Sequence, residues 1–270
     1  MSSAPSNGMV SRVLRRQGRQ ALGFVSEAGR VALLAWRAFV ALFTTRFELR
    51  AFIYQLESLG VRSLGIAVAT AVFVGIVMTI QFAFSLERFG AQNSVGRVVG
   101  LSEVRELAPS LTALVVGCRI GAGIAAELGS MAVTEQIDAI RALGADPVRK
   151  LVVPRILAGT VLMPLLTFFA LVSGIGSAMA VSRLTFGISA SFFLSTALDT
   201  IDLADLLSGL GKTPFFGYLV CLLGCHFGMT TRGGTEGVGR STTTSVVVVA
   251  ITVLVADAIL TQLFLSLMGA

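Results

Sequence analysis

The sequence predicts an all-α membrane protein with about five transmembrane helices, an N-terminal interfacial helix and one short cytoplasmic helix between spans. Three observations carry this. Apolar residues make up 54% of the 270 residues and charged residues 13%, with a mean hydropathy of +0.85, whereas soluble domains carry about 25% charged residues. Uncharged runs long enough to cross ~30 Å of hydrocarbon recur along the chain. The 21 Lys and Arg concentrate on alternate sides of those runs, as they do in cytoplasmic loops. The net charge of +6 therefore reads as membrane orientation, and no nucleic-acid partner is expected.

Residues 1–20, rich in Ser, Gly and Arg, read as a flexible basic N-terminus. Arg37 interrupts the apolar stretch that follows and no clear cleavage site is present, so no signal-peptide cleavage is expected. Residues 21–62 mix Arg30, Arg37, Arg46 and Arg50 with Leu, Phe, Trp36 and Tyr54. That mixture suits interfacial amphipathic helices, arginines reaching anionic headgroups and aromatics at the boundary. Residues 63–270 form the transmembrane domain.

The first span is Ser63 to Leu86, uncharged for 24 residues. A short outer loop leads to a second span from Gly100 to Ala122. The third, Ile156 to Ser182, has 27 uncharged residues and a kink expected at Pro164. Leu184 to Leu198 has 15, short for a crossing, and reads as interfacial or re-entrant. The fourth span is Thr213 to Thr231 and the fifth Thr243 to Leu267, interrupted by Asp257. With the N-terminus inside, residues 1–62, 119–155 and 232–240 hold nine, five and two basic residues, sixteen of the 21. This puts the N-terminus in the cytoplasm and the C-terminus in the periplasm.

The stretch from Gly117 to Arg155 lies between apolar runs yet carries charge throughout. Each Asp, Lys or Arg costs ~2.5–3.5 kcal/mol at the bilayer centre, so the block at about residues 123–153 belongs outside. Val133, Ile137, Ile140 and Leu143 are spaced for one helical face, with Glu135, Asp138 and Arg141 opposite. Gly144 and then Pro147 end the helix. Such a helix either docks into a groove on a partner protein, as a coupling helix, or lies on the headgroups.

Ionisable residues inside spans are functional candidates. Arg105, Glu106 and Lys212 stand near the expected outer mouth, where two cations and an acid are placed to meet a charged substrate. The alternative is an Arg105–Glu106–Lys212 ion pair that only joins helices. Val74, Val77, Met78 and Phe82 line one face of the first span as an apolar wall for a hydrophobic substrate. Gly117, Gly121, Ala125 and Gly129 form a small-residue ladder, serving internal packing or a subunit contact. Asp257 calls for a polar partner within the bundle. Cys221, Cys225 and His226 lack a fourth ligand and read as packing residues, so no metal is expected. No GxxxxGK[ST] loop occurs, so ATP hydrolysis by that route and a cofactor are not expected of this chain.

The run AAELGSMAVTEQIDAIRALGADPVRKLVVPR resembles the signature of the MlaE/YrbE permeases, membrane subunits of lipid-transporting ABC systems associated with MCE proteins. LGVRSLGIAVATAVFVGIVMTIQFAFSLERFG, VRELAPSLTALVVGCR and GGTEGVGRSTTTSVV extend the resemblance over about residues 55–160 and 228–265. It implies a permease without its own ATPase, moving phospholipid between the inner membrane and an MCE conduit. Sterols or other hydrophobic molecules are rival cargo, and a non-transporting scaffold or a secondary transporter are rival roles. It assigns ATPase coupling to Glu135, Gln136, Ile137, Asp138, Ile140, Arg141 and Gly144. The implied partners are a second copy of the chain, a cytoplasmic ATPase dimer, an MCE-domain hexamer, membrane lipid and, in many such systems, a STAS-domain protein.

Overall fold

The structure, a computed structural model, describes residues 25–41 and 49–268. The expected flexible N-terminus, Arg46 and the rest of residues 42–48 lie outside the described residues. Among the described residues all regular structure is helical. Helix α1 covers residues 25–41. It is followed by α2 (Leu49–Glu87), α3 (Val95–Ser102), α4 (Ala108–Val133) and the short α5 (Gln136–Ala142). The chain closes with α6 (Val153–Phe186), α7 (Ala190–Leu198), α8 (Leu203–Met229) and α9 (Gly234–Met268). Wide π-helical turns at Glu103–Leu107 and Val148–Val152 join α3 to α4 and lead into α6.

Among the described residues, five helical runs are long and apolar enough to cross a membrane: Leu49–Glu87, Gln92–Val133, Val148–Phe186, Leu203–Met229 and Gly234–Leu267. Each begins earlier than the run predicted from hydropathy, and the first three also end later, whereas the fourth stops two residues short of its predicted end. The largest difference is at the first span. Residues 49–62, expected to belong to separate interfacial helices, are the opening turns of α2. They continue without a break through Gly60, which packs so closely on Leu162 that a Cβ there would stand 2.7 Å from it. Of the expected interfacial stretch, the described part that forms a separate helix is α1.

Helix α2 lies along α6. Its buried residues Gly60, Ser63, Ala67, Ala71, Gly75, Thr79 and Ala83 recur every three or four positions, a seam of small side chains that lets backbones approach. Helix α4 packs against α8 and α9, and the ladder explains how. A Cβ on Gly117 would stand 2.8 Å from Val220, and one on Gly121 or Gly129 would stand 3.0 Å from Val249 or Thr231. Ala125 is fully buried. Within the chain, the ladder packs α4 against α8 and α9.

Helices α6 and α8 cross most closely at Gly159 and Gly217. A Cβ on either would overlap the other helix, meeting Cys221 Sγ from Gly159 and the Gly159 carbonyl from Gly217. Gly217→Ala must therefore push the helices apart. Overpacking of this kind costs about 1–3 kcal/mol, and a lowered midpoint of thermal unfolding in detergent is the expected result. Gly176→Ala, where nothing lies within 4 Å, serves as the neutral comparison.

His226 packs edge-on to Phe227 at 5.3 Å and also holds a polar partner. Its Nε2 lies 2.7 Å from Glu27 Oε1, which ties α1 to the end of α8. The hydrogen bond to His226 holds the Glu27 carboxyl below the usual carboxylate range.

Candidate functional site

The charged end of the bundle is built by two local features. Pro109 has no N–H to offer the preceding turn, and the chain widens into the π-helical turn Glu103–Leu107 just before it. Gly209 lets α8 approach this turn so closely that a Cβ would overlap the Val104 carbonyl. One turn further along α8 stands Lys212. It is not at the start of its helix, as the sequence suggested, because α8 begins nine residues earlier at Leu203.

The structure resolves Arg105, Glu106 and Lys212 into two sets of contacts. Arg105 turns to Asp205, its Nε donating to Oδ1 at 2.6 Å. The other oxygen of Asp205 accepts from the Asp202 backbone N–H at 3.0 Å, at the start of α8. Asp205 is 3% exposed and holds Arg105 in place. The Arg105 side chain itself remains 38% exposed.

Lys212 is fully buried. Its Nζ lies 3.0 and 3.1 Å from the two Glu106 oxygens, 3.3 Å from Asp257 Oδ1 and 2.9 Å from Thr261 Oγ1. An ammonium has three donors, so these acceptors leave none for a ligand. Asp257 also accepts from Ser110 Oγ at 2.7 Å, the bundle partner its place in the fifth span called for. The Glu106 side chain is 42% exposed. Arg105 and Glu106 are thus accessible neighbours of opposite charge, steadied from behind by Asp205 and Lys212.

Sequence reasoning missed Asp205, Ser110 and Thr261. The spacing of Asp202 and Asp205 at a helix start was the available signal for the first; nothing in the sequence marked the other two. It also missed Glu103, 1% exposed, whose Oε1 has no hydrogen-bond partner among the described residues. Gly174 makes room for this carboxyl, since a Cβ there would stand 3.2 Å from Oε2.

On α2, Val74, Met78 and Phe82 are half-buried and Val77 is 49% exposed. They flank the seam with α6 and present apolar surface outward.

At the opposite end of the bundle, α5 forms an elbow between α4 and α6. It starts at Gln136, after Glu135 adopts a left-handed conformation at φ 60°. That turn separates α5 from α4 and resets the helical phase. Ile137 is buried and Ile140 half-buried, but Val133 belongs to α4 and Leu143 is 86% exposed. The expected apolar face of four residues therefore shrinks to two. Asp138 and Arg141 pair on the outside at 2.8 Å, and Gln136 donates to Thr134 Oγ1 at 3.0 Å. Gly144, at φ 77°, ends the elbow. Arg155, 4% exposed, donates to Glu127 at 2.7 Å and to the Leu151 carbonyl at 2.7 Å. It locks α4 to the start of α6 on either side of α5.

The profile of the family described as Permease MlaE matches residues 52–263. The chain is 37% identical over 234 residues to Protein TRIGALACTOSYLDIACYLGLYCEROL 1, chloroplastic, of Arabidopsis thaliana, covering 87% of this chain and 67% of that protein. It is 39% identical over 230 residues to a probable ABC transporter permease protein of Synechocystis, covering 85% and 88%. A probable ABC transporter permease protein of Rickettsia typhi is 34% identical over 255 residues, covering 94% and 98%.

Proposed function

The chain belongs to the MlaE permease family and is the membrane-embedded permease of an ABC transporter, and on that premise we propose that it moves phospholipid between the inner membrane and an MCE-protein conduit. Power comes from a separate ATPase. The observation that carries the lipid reading is the accessible Arg105–Glu106 pair at one end of an apolar bundle. A guanidinium suits a phosphate and a carboxylate suits an amine. The name of the Arabidopsis relative, which contains that of a galactolipid, supports a lipid as cargo. Lys212 acts by positioning Glu106 rather than by touching the headgroup.

The second copy of the chain joins through α9. Only 11% of its apolar window is buried within the chain, against 28–50% for the other four spans. Lipid tails run along the apolar wall of α2. The ATPase dimer docks on α5, and the MCE hexamer, with any STAS-domain protein, completes the assembly. ATP-driven closure pushes the elbow, and the Arg155–Glu127 lock carries the push into α4 and α6.

Orientation is tested by thiol labelling after replacing Cys118, Cys221 and Cys225. Cysteines at Asn93 or Asp202 should react with a membrane-impermeant reagent in intact spheroplasts, and those at Ala145 or Thr235 should not. The reverse pattern would put α5 on the side without ATP and overturn the coupling assignment. Affinity purification in mild detergent should recover an ABC ATPase together with phospholipid. Recovery of sterol instead would favour the rival cargo, and lipid transfer that never responds to ATP would favour a scaffold.

A further inference from the structure

We propose that two adjoining clefts beside α1 form a binding site for one anionic phospholipid, separate from the headgroup site at Arg105. Both lie toward the end of the bundle that carries α5. The first is apolar, about 500 Å³, and is walled by Phe39, Ile156, Leu157, Thr160, Phe215 and Tyr218. The second, about 350 Å³, is of mixed character, with Trp36, Val40 and Ala41 beside the charged Arg37, Asp146 and Arg149. The neighbours Arg37 and Ala38 each line one cleft, so α1 is the wall the two share.

The dimensions fit a lipid. Thr160 lies seven residues into α6 from Val153, and Tyr218 lies eleven residues before the end of α8 at Met229. At 1.5 Å per residue these are roughly 10 and 16 Å from the α5 end, and Phe215 is about 21 Å from it, so the cleft runs through one hydrocarbon leaflet to just past the midplane. The apolar cleft therefore spans the level of an acyl chain, and the second cleft stands at headgroup level.

The charge fits too. Arg37 is exposed and has no ion-pair or hydrogen-bond partner among the described residues. Arg149 makes one loose contact, Nε to Asp146 Oδ2 at 3.6 Å, with both side chains about half exposed. Asp146 offsets one of the two cations, and the excess positive charge selects an anionic over a zwitterionic headgroup. A lipid held here clamps α1 onto α6 and α8, beside the connection from α5 to α6.

Trp36, the one tryptophan of the chain, lines the second cleft and reports on its occupant. The full chain is reconstituted in phosphatidylcholine vesicles. Quenching of Trp36 by chain-brominated phosphatidylglycerol is compared with quenching by equally brominated phosphatidylcholine. The anionic lipid should reach half-maximal quenching at about fivefold lower mole fraction, as expected for one surface cation. Arg37→Ala should abolish that preference, and Thr160→Phe, which fills the apolar cleft and keeps both arginines, should reduce it. Arg50→Ala, which loses the same charge outside the clefts, should keep it. Quenching by the zwitterionic lipid shows that each variant is folded and inserted.

Equal quenching by the two lipids in the unmodified chain would overturn the proposal. So would a preference that survives Arg37→Ala, one lost equally in Arg50→Ala, or one indifferent to Thr160→Phe. Arg105→Ala should leave the preference intact while impairing cargo, so failure here and failure of the transport reading are separable.

Discussion

Lys212→Ala should lower the thermal midpoint of the purified permease by roughly 10 °C and abolish transport with it. The ammonium is fully buried and holds Glu106, Asp257 and Thr261, joining α8 to the π-helical turn and α9. Removing one partner of a buried ion pair costs about 3–5 kcal/mol, because the other charge is left uncompensated. Two carboxylates would remain here. Glu106 is partly exposed, which softens its share of the cost, but Asp257 is not open to water to the same degree. The triple variant Lys212→Met, Glu106→Gln, Asp257→Asn should regain most of the stability while staying inactive, since no charge is then stranded.

Arg105→Ala should behave differently. Its side chain is partly exposed, and the buried Asp205 carboxylate that it would leave still accepts from the Asp202 backbone N–H at the start of α8, so the loss of stability should be smaller than for Lys212. The fold should persist, while copurifying phospholipid falls about tenfold, the value of one partly desolvated phosphate contact. A lipid-depleted, unfolding-prone Lys212→Ala beside a lipid-depleted, stable Arg105→Ala would separate positioning from contact. A Lys212→Ala protein as stable as the parent would show that the buried cluster does not hold the helices together.

The second large effect is expected at the elbow. Reversing both Glu135 and Asp138 to Lys should leave the chain inserted but free of its ATPase. Both side chains point away from the bundle, so the fold does not need them. Charged contacts central to an interface contribute about 2 kcal/mol or more, a loss of roughly thirtyfold in affinity. Glu135 allows a sharper form of the test. Its left-handed backbone is strained for a glutamate and free of that strain for glycine, so Glu135→Gly should leave stability unchanged or raised. If ATPase binding nevertheless falls, the Glu135 side chain itself is the contact. Full ATPase recovery with the double Lys variant would move the docking surface off α5.

Much of this fold was legible because the hydrophobic runs mark the spans without reference to their partners. Their ends were not, since helices here run past the hydrocarbon: α2, at 39 residues, is nearly 60 Å long at 1.5 Å per residue. That overrun absorbed residues 49–62 into α2 and moved Lys212 from the start of α8 to its interior. The rule that an intramembrane charge needs a partner announced that Lys212 and Asp257 would be paired. It could not name the partners, because residues 106, 212, 257 and 261 meet only in three dimensions. The same limit hid Asp205 as the support of Arg105. At the elbow the period was read through Glu135, whose left-handed turn starts a new helix. Ile137 therefore kept its buried place, and Leu143 lost it.

The most direct test of lipid transport driven through α5 uses the permease purified with its ATPase and reconstituted into vesicles carrying a fluorescent phospholipid. Lipid transfer to acceptor vesicles should require ATP. It should fall to the no-ATP level in the Glu135→Lys, Asp138→Lys variant, with insertion unchanged. Transfer at the same rate with and without ATP, or undiminished transfer by that variant, would contradict the account.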